Sequence, residues 1–274
     1  MAILKIFGSS NIKKFVERYL NSEASWLKQK TIVDIPAGSG YTSRVIDSLG
    51  GVVKAYDLFP EFFEFEGVDC EEADLQKPLP IDSDSADMLI CQEGIEHLPD
   101  QLRVLQEFSR ILKPGGRLIL TTPNISHLRA KVSYLMTESE LYKRMPANEL
   151  DSLWFSGDDK MYFGHLFLIN AQKLRSLAAI AGFRLRRTLP VKISTSSVLL
   201  SFLYPVIVLL NVYAYLRNVY KKDEYDIGKK KKLYKEILKL NISPVVLFGK
   251  HIFWELEKDQ QIQFEVNRTR EGII

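Results

Sequence analysis

Between residues 31 and 122 one pattern recurs: a short unbroken apolar run, a turn rich in glycine or acid, then a stretch with helical spacing. Thr31-Ile32-Val33-Asp34-Ile35 runs into Pro36-Ala37-Gly38-Ser39-Gly40, and 43–49 follows as a helix stopped by Gly50-Gly51. Val52 to Asp57 reads as a second strand, Met88 to Cys91 as a clear third, and Arg117 to Thr122 as another. Between the last two, 101–112 has helical character and ends at Lys113-Pro114-Gly115-Gly116. Farther on, 171–181 reads as a helix stopped by Gly182, with a strand over 183–191. Strands that are apolar throughout, rather than alternating, must be covered on both faces. Strand–helix alternation with that property predicts an α/β, doubly wound, parallel sheet. Before it, 11–28 has a helical period carried by Ile12, Phe15, Val16, Tyr19 and Leu20.

In such a sheet a ligand binds outside the carboxyl ends of the strands, near the point where strand order reverses. The first of these ends is the turn Pro36 to Gly40, where glycines let a backbone approach a ligand and turn sharply. Such a turn suits many nucleotides, or no ligand at all. The second is Asp57, seventeen residues past Gly40. A carboxylate there can accept hydrogen bonds from two ribose hydroxyls, or it can be a solvated strand end. Asp74-Leu75 leads toward a third end, and Gln92-Glu93-Gly94-Ile95-Glu96-His97-Leu98-Pro99 follows the strand at 88–91 directly.

In content, order and spacing this series resembles the class I methyltransferase family. The resemblance rests on Val33 to Gly40, Asp57, Asp74-Leu75, Glu93 to Pro99 and Leu112 to Leu118, with Gly164-His165-Leu166-Phe167 and Ala181-Gly182-Phe183 as its later part. It covers 25–192. It implies a Rossmann-like seven-stranded sheet whose last strand is antiparallel, with Gly249 to Glu257 as that strand. It also implies S-adenosylmethionine as cofactor. Asp34, Pro36, Ala37, Gly38 and Gly40 would lie along its methionine part, Asp57 with Leu58 at its ribose, and Asp74 and Leu75 around its adenine, with Gln92 closing the pocket. One departure is Pro36, where the family usually has glycine; proline fixes φ and offers no N–H. A dinucleotide-binding dehydrogenase is the competing fold-mate, but Gly38-Ser39-Gly40-Tyr41-Thr42-Ser43 lacks the third glycine of its fingerprint.

Methyl transfer needs alignment and exclusion of water more than covalent help. A hydroxyl acceptor also gains from a base, and imidazole suits neutral pH. His97 and His165 are the candidates, with Glu93 behind them; the alternative for His97 is a structural bond to the cofactor loop. Asp82, Asp84 and Asp87 read as a solvated turn, and no metal is expected. The long segment 124–164 has no clear periodicity and is assigned to a lid that recognises the acceptor.

The composition is that of a folded chain, 46% hydrophobic and 26% charged, and a net charge of +3 gives no reason to expect nucleic acid. Two cysteines, Cys70 and Cys91, make no disulfide framework, which fits a reducing cytosol. The first residues carry no secretory pattern. The unusual region comes late. Ile193 to Leu216 has no charged residue over 24 positions, and nine basic residues lie between Arg217 and Lys239. Basic flanks on both sides, and the need to return to the sheet, oppose a single crossing with its ends on opposite sides. The expectation is a cytosolic-face apolar hairpin bent at Pro205, followed by a basic amphipathic helix with Leu233, Tyr234, Ile237, Leu238 and Leu240 on one side. A buried helix or a dimer interface is the alternative. The organisation expected is a methyltransferase domain over 1–192 and 249–258, a membrane-associating insertion over 193–248 and a tail over 259–274. The reading is a methyltransferase acting on a membrane-proximal hydroxyl, with an anionic membrane surface and a lipid-linked or small-molecule acceptor as partners. A soluble acceptor or an inactive cofactor-binding scaffold are the alternatives, and the oligomeric state is open.

Overall fold

The computed structural model describes residues 10–155, 161–221 and 226–259. The tail beyond 259 and the first nine residues, on which the leader reading rests, lie outside the described residues. Helices α1 (Ser10–Ser22) and α2 (Ala24–Leu27) precede β1 (Thr31–Asp34), α3 (Tyr41–Ser48), β2 (Val52–Asp57), β3 (Cys70–Glu72), β4 (Ala86–Gln92), α4 (Gln101–Ile111) and β5 (Leu112–Pro123). Then come α5 (Leu128–Thr137), β6 (Leu153–Phe155), β7 (Met161–Phe163), α6 (Ala171–Ile180) and β8 (Phe183–Thr188). Helices α7 (Thr195–Leu199), α8 (Tyr204–Val219), α9 (Ile227–Asn241) and α10 (Pro244–Phe248) lead to β9 (His251–Lys258).

Seven strands form one sheet in the order β3-β2-β1-β4-β5-β9-β8. From β3 through β5 the pairing is parallel, while β9 runs antiparallel to both β5 and β8. The expected antiparallel strand is therefore present, slotted inside the sheet rather than on its edge. Successive side chains point to opposite faces, and both faces are packed. Val33, Leu89, Cys91, Leu118, Leu120 and Trp254 join one core with Phe108 and Leu174. Ile32, Met88, Ile90, Ile119 and Phe253 join the other with Ile12, Val16, Leu20 and Ile46.

Several local expectations are corrected. The helix expected over 11–28 breaks at Glu23, whose carboxylate pairs with Arg117 and Arg187 at 2.8 Å each. α4 ends at Ile111, just ahead of Lys113 to Gly116 as expected, but that segment is not a free turn. It forms an irregularity inside β5, between the pairs Ala86–Leu112 and Met88–Arg117, with Gly115 at φ +73°. The lid is not irregular throughout, since α5 and the β6–β7 hairpin lie within it. Asp87 sits in β4, paired to Lys113 at 2.9 Å and accepting from the Thr31 N–H, rather than in a solvated turn. Asp84 pairs with Lys258 at 2.7 Å.

The segment 193–216 does not fold back on itself. It forms α7, a single 3-10 turn and α8, and the hairpin partner of α8 is the basic helix α9. Pro205 stands at the start of α8, where a missing N–H costs nothing, so it begins the helix instead of bending it. Asn241 donates to Asn211 at 2.7 Å and Tyr204 to the Ile242 carbonyl at 3.0 Å, which ties the two helices together.

Glu255 in β9 is completely buried, with Arg186 at 3.5 Å, Arg117 at 3.7 Å and Arg187 in direct contact. A register shift between Leu185 and Arg187 in β8 lets two successive arginines reach it. Removing one partner of a buried ion pair typically costs about 3–5 kcal/mol. Glu255→Ala is expected to lose stability on that scale in urea unfolding, and a loss below about 1 kcal/mol would show the network to be dispensable.

Candidate active site

The carboxyl ends of β1, β2, β4 and β5 and the start of β9 meet along one edge of the sheet. Strand order reverses between β1 and β4, so the loop after β1 sits at the switch point. In that loop Ile35–Pro36 is a cis peptide bond, and Gly38 and Gly40 have φ of +55° and +76°. A side chain at Gly38 would meet nothing within 4 Å, so the loop backbone is open to a ligand there. At Gly40 an added Cβ would fall 2.8 Å from the Phe63 ring, and at Gly94 one would fall 2.7 Å from Pro36 Cδ. Pro36 is thus seated against a position that has no side chain, and the loop accommodates it.

Asp57 closes this loop from β2. Its carboxylate accepts from the Gly38 N–H at 2.7 Å and the Phe59 N–H at 2.9 Å, and burial raises its pKa. Asp34 is fully buried, accepts from Ser43 Oγ at 2.6 Å and is pushed by burial to about 7. Its side chain locks α3 to β1 and has no open face. Gln92 accepts from Thr42 Oγ1 at 3.2 Å, joining the end of β4 to the start of α3. Asp74 caps its own turn through the Gln76 N–H at 2.8 Å, and Leu75 packs against the core. Leu58 is half-buried beside Asp57.

On the other side of Gln92 lies a second cluster. Glu93 has φ +52°, an uncommon conformation for a residue with a side chain, of the kind retained at sites where the surroundings hold it. It accepts from Thr121 Oγ1 at 2.9 Å, and burial raises it to about 7. Glu96 is entirely buried, accepts from Thr122 Oγ1 at 2.8 Å and is raised by burial and by Glu93.

His97 does not bond the cofactor loop. Its Nδ1 lies 2.6 Å from the Phe163 carbonyl and its Nε2 3.0 Å from the Tyr162 hydroxyl, so it holds the lid hairpin, and burial lowers it to about 4. The His165 ring stands 5.0 Å from that of His97, in a 3-10 turn ahead of α6. Glu96, His97 and His165 bring potential ligand atoms within 4.8 Å of one another, with both His97 nitrogens already engaged by the hairpin. Phe59, Trp154 and Tyr162 add aromatic faces, with centroids 6.0–6.2 Å apart. Tyr162 and His251 were not among the sequence candidates. Tyr162 lies in a segment without periodicity, and His251 follows the motif by more than 150 residues.

A family profile described as a methyltransferase domain matches residues 8–188. The chain belongs to this family, the class I methyltransferases that use S-adenosylmethionine. The ubiquinone biosynthesis O-methyltransferase of Xanthomonas campestris pv. campestris (strain B100) is 32% identical over 102 residues, 34% of this chain and 43% of that protein. The protein of the same description from Histophilus somni (strain 2336) is 27% identical over 120 residues, 39% of this chain and 50% of that one. The chain thus spans about half the length of these relatives. A crystal structure of a SAM dependent methyltransferase from Archaeoglobus fulgidus shares the fold, with a TM-score of 0.50, 12% identity, and coverage of 93% of this chain and 96% of that one.

The start of α5 carries a pH-sensitive cap of its own. His127 is buried at the N-cap of α5, where its Nδ1 accepts from the Ala130 N–H at 3.0 Å, and burial lowers it to about 4. Between pH 4 and 6.5 a released, solvated His127 binds a proton that the buried cap excludes. The stabilisation is therefore complete above 6.5 and lost as pH falls toward 4. Amide exchange at Ala130 and Lys131 is expected to accelerate over that window beyond its intrinsic pH trend. His127→Asn, which keeps a capping oxygen, should flatten the response, and an unchanged response in that variant would contradict this assignment.

Proposed function

We propose that this chain O-methylates an isoprenoid- or lipid-type hydroxyl acceptor at a membrane surface. The observation that carries the reading is the division of one sheet edge by Gln92. On one side lies an open glycine loop closed by a buried carboxylate, and on the other a buried acid–imidazole cluster under aromatic rings. The names of the partly matching relatives support an oxygen acceptor. S-adenosylmethionine, when bound, supplies a methyl group already activated by its sulfonium. Asp34 to Gly40 would hold the methionine part, Asp34 by fixing the loop and Pro36, Ala37, Gly38 and Gly40 by their backbone. Asp57 and Leu58 would take the ribose, Asp74 and Leu75 the adenine, and Gln92 the boundary with the acceptor. Glu93, His97 and His165 would line the acceptor side, where the lid excludes water. The methyltransferase domain is assigned to 1–192 and 249–258, and the insertion to 193–248.

The insertion supports the membrane part of the reading. The helical stretch Ser201–Val219 has mean hydropathy 1.3 and is only 6% buried. Phe202, Val206, Leu209, Leu210 and Tyr213 recur at helical spacing along it, each more than half exposed. An apolar face of that extent is a contact surface in want of a partner. The 16 residues of α8 extend about 24 Å, short of the ~30 Å hydrocarbon core, and the chain must return to the sheet at β9. A helix lying in the bilayer surface satisfies both conditions. Beside it, Lys229, Lys231, Lys232, Lys235 and Lys239 are exposed on α9, whereas Lys230 turns inward and donates to the Lys221 carbonyl at 2.9 Å.

Asp57→Ala is expected to lose most S-adenosylmethionine affinity in titration calorimetry, and unchanged affinity would remove the ribose assignment. For the membrane, Lys229, Lys231 and Lys232 changed together to Gln should weaken binding to anionic vesicles by about 1 kcal/mol per residue at low salt. Phe202, Leu209 and Tyr213 changed to Asp should abolish the salt-resistant part of sedimentation with vesicles. Undiminished sedimentation of that second variant would contradict an interfacial α8.

A further inference from the structure

The end of the return strand places a histidine that no motif contains against the acid at the end of β4. His251 is the first residue of β9, paired with Pro123 at the carboxyl end of β5. Its Nε2 stands 3.5 Å from Glu93 Oε2. The other Glu93 oxygen is fixed by Thr121 Oγ1 at 2.9 Å, and the Glu93 N–H donates to the Thr121 carbonyl at 3.0 Å. The carboxylate is therefore aimed at His251 by a backbone held at positive φ. Both side chains are largely buried but keep a small exposed area, 15% and 14%, through which an acceptor would have to approach. His97 differs: both of its ring nitrogens are taken up by the lid hairpin.

We propose that His251, held by Glu93, accepts the proton of the acceptor hydroxyl. The inference rests on the O-methylation reading above. The acceptor's O–H bond breaks, its proton passes to the His251 imidazole, and the bonding pair stays on oxygen. That oxygen forms the new bond to the methyl carbon, while the pair of the S–C bond returns to sulfur. Glu93 is a positioning residue. It orients the ring and offsets the charge that the ring gains, the arrangement in which a base is oriented by a third group. The titratable and charged groups near the ring are Glu93, Lys250 beside it in the chain, His165 ahead of α6 and His127 at the start of α5. Burial first, then Lys250 and His165, hold free His251 at about 4, so the empty site carries a neutral imidazole at physiological pH.

Two measurements on the full chain test this. The first is turnover of 2-prenylphenol with S-adenosylmethionine across pH. His251→Gln is expected to lower kcat on the order of 100-fold near neutrality, leaving KM for S-adenosylmethionine within about twofold. Its residual rate should climb with pH as the phenol ionises unaided. A variant that keeps more than about a third of kcat and the wild-type pH profile would overturn the proposal. The second needs no turnover: the His251 ring titration by NMR, in wild type and in Glu93→Gln. In wild type the ring should respond to the first proton that the pair takes up, because that proton is shared between the Glu93 carboxylate and the imidazole, and in the variant this response should vanish; ring titrations identical in the two proteins would overturn the pairing. A wild type that methylates no hydroxyl probe would overturn the O-methylation reading itself, and this proposal with it. An active wild type with an equally active His251→Gln sinks only the histidine assignment.

Discussion

Glu255 is buried where no carboxylate can stand alone, and the three arginines around it determine where the chain must return. A charge taken out of water needs partners that satisfy it, and these come from β5 and from a bulged β8. The strand that carries Glu255 is thereby held between them and runs against the rest of the sheet. Everything between β8 and β9 must leave the sheet and come back. That excursion contains the most apolar helix of the chain, so its geometry is bounded before any membrane is considered.

The same strand delivers His251 to the carboxyl ends of β4 and β5, beside Glu93. Thus one buried ion network organises both the return from the apolar insertion and the placement of His251 beside Glu93. The loop after β1 is organised separately. Asp57 receives two backbone N–H groups, and Asp34 ties α3 to β1, so the glycine loop is shaped before a ligand arrives. Preorganisation of this kind lets binding free energy go into alignment instead of loop ordering. Gln92 belongs to both halves, bonded to Thr42 on one side and followed by Glu93 on the other.

The parallel core was legible because β1 and β4 carry nearly unbroken apolar runs, and acids stand at or just after the ends of β1, β2 and β4. Asp57, Gln92 and Glu93 were legible as residues at strand ends for that reason, the places where ligands gather in this architecture. What the sequence hid depends on contacts between distant residues. The break at Glu23 is set by arginines 94 and 164 residues away, which no local period can announce. Lys113 to Gly116 has the composition of a turn but is drawn into β5, where β4 continues the pairing on either side of it. His97 stands in the motif, yet its partners Tyr162 and Phe163 come from a hairpin without a readable pattern. The apolar run at 193–216 was plain, but its pairing with α9 rather than with itself follows from the length of α8 and the Asn211–Asn241 contact.

The central claim is that the switch-point loop and Asp57 form the cofactor side, with the acid–imidazole cluster beside it. Hydrogen–deuterium exchange with and without S-adenosylhomocysteine tests this claim most directly, since it reports where a ligand settles without requiring an acceptor. The account predicts slowed exchange over 36–40, 57–59, 74–75 and 92–93, with α8 and α9 unchanged. Protection confined to α8 and α9, or no protection at the switch-point loop at saturating ligand, would contradict it.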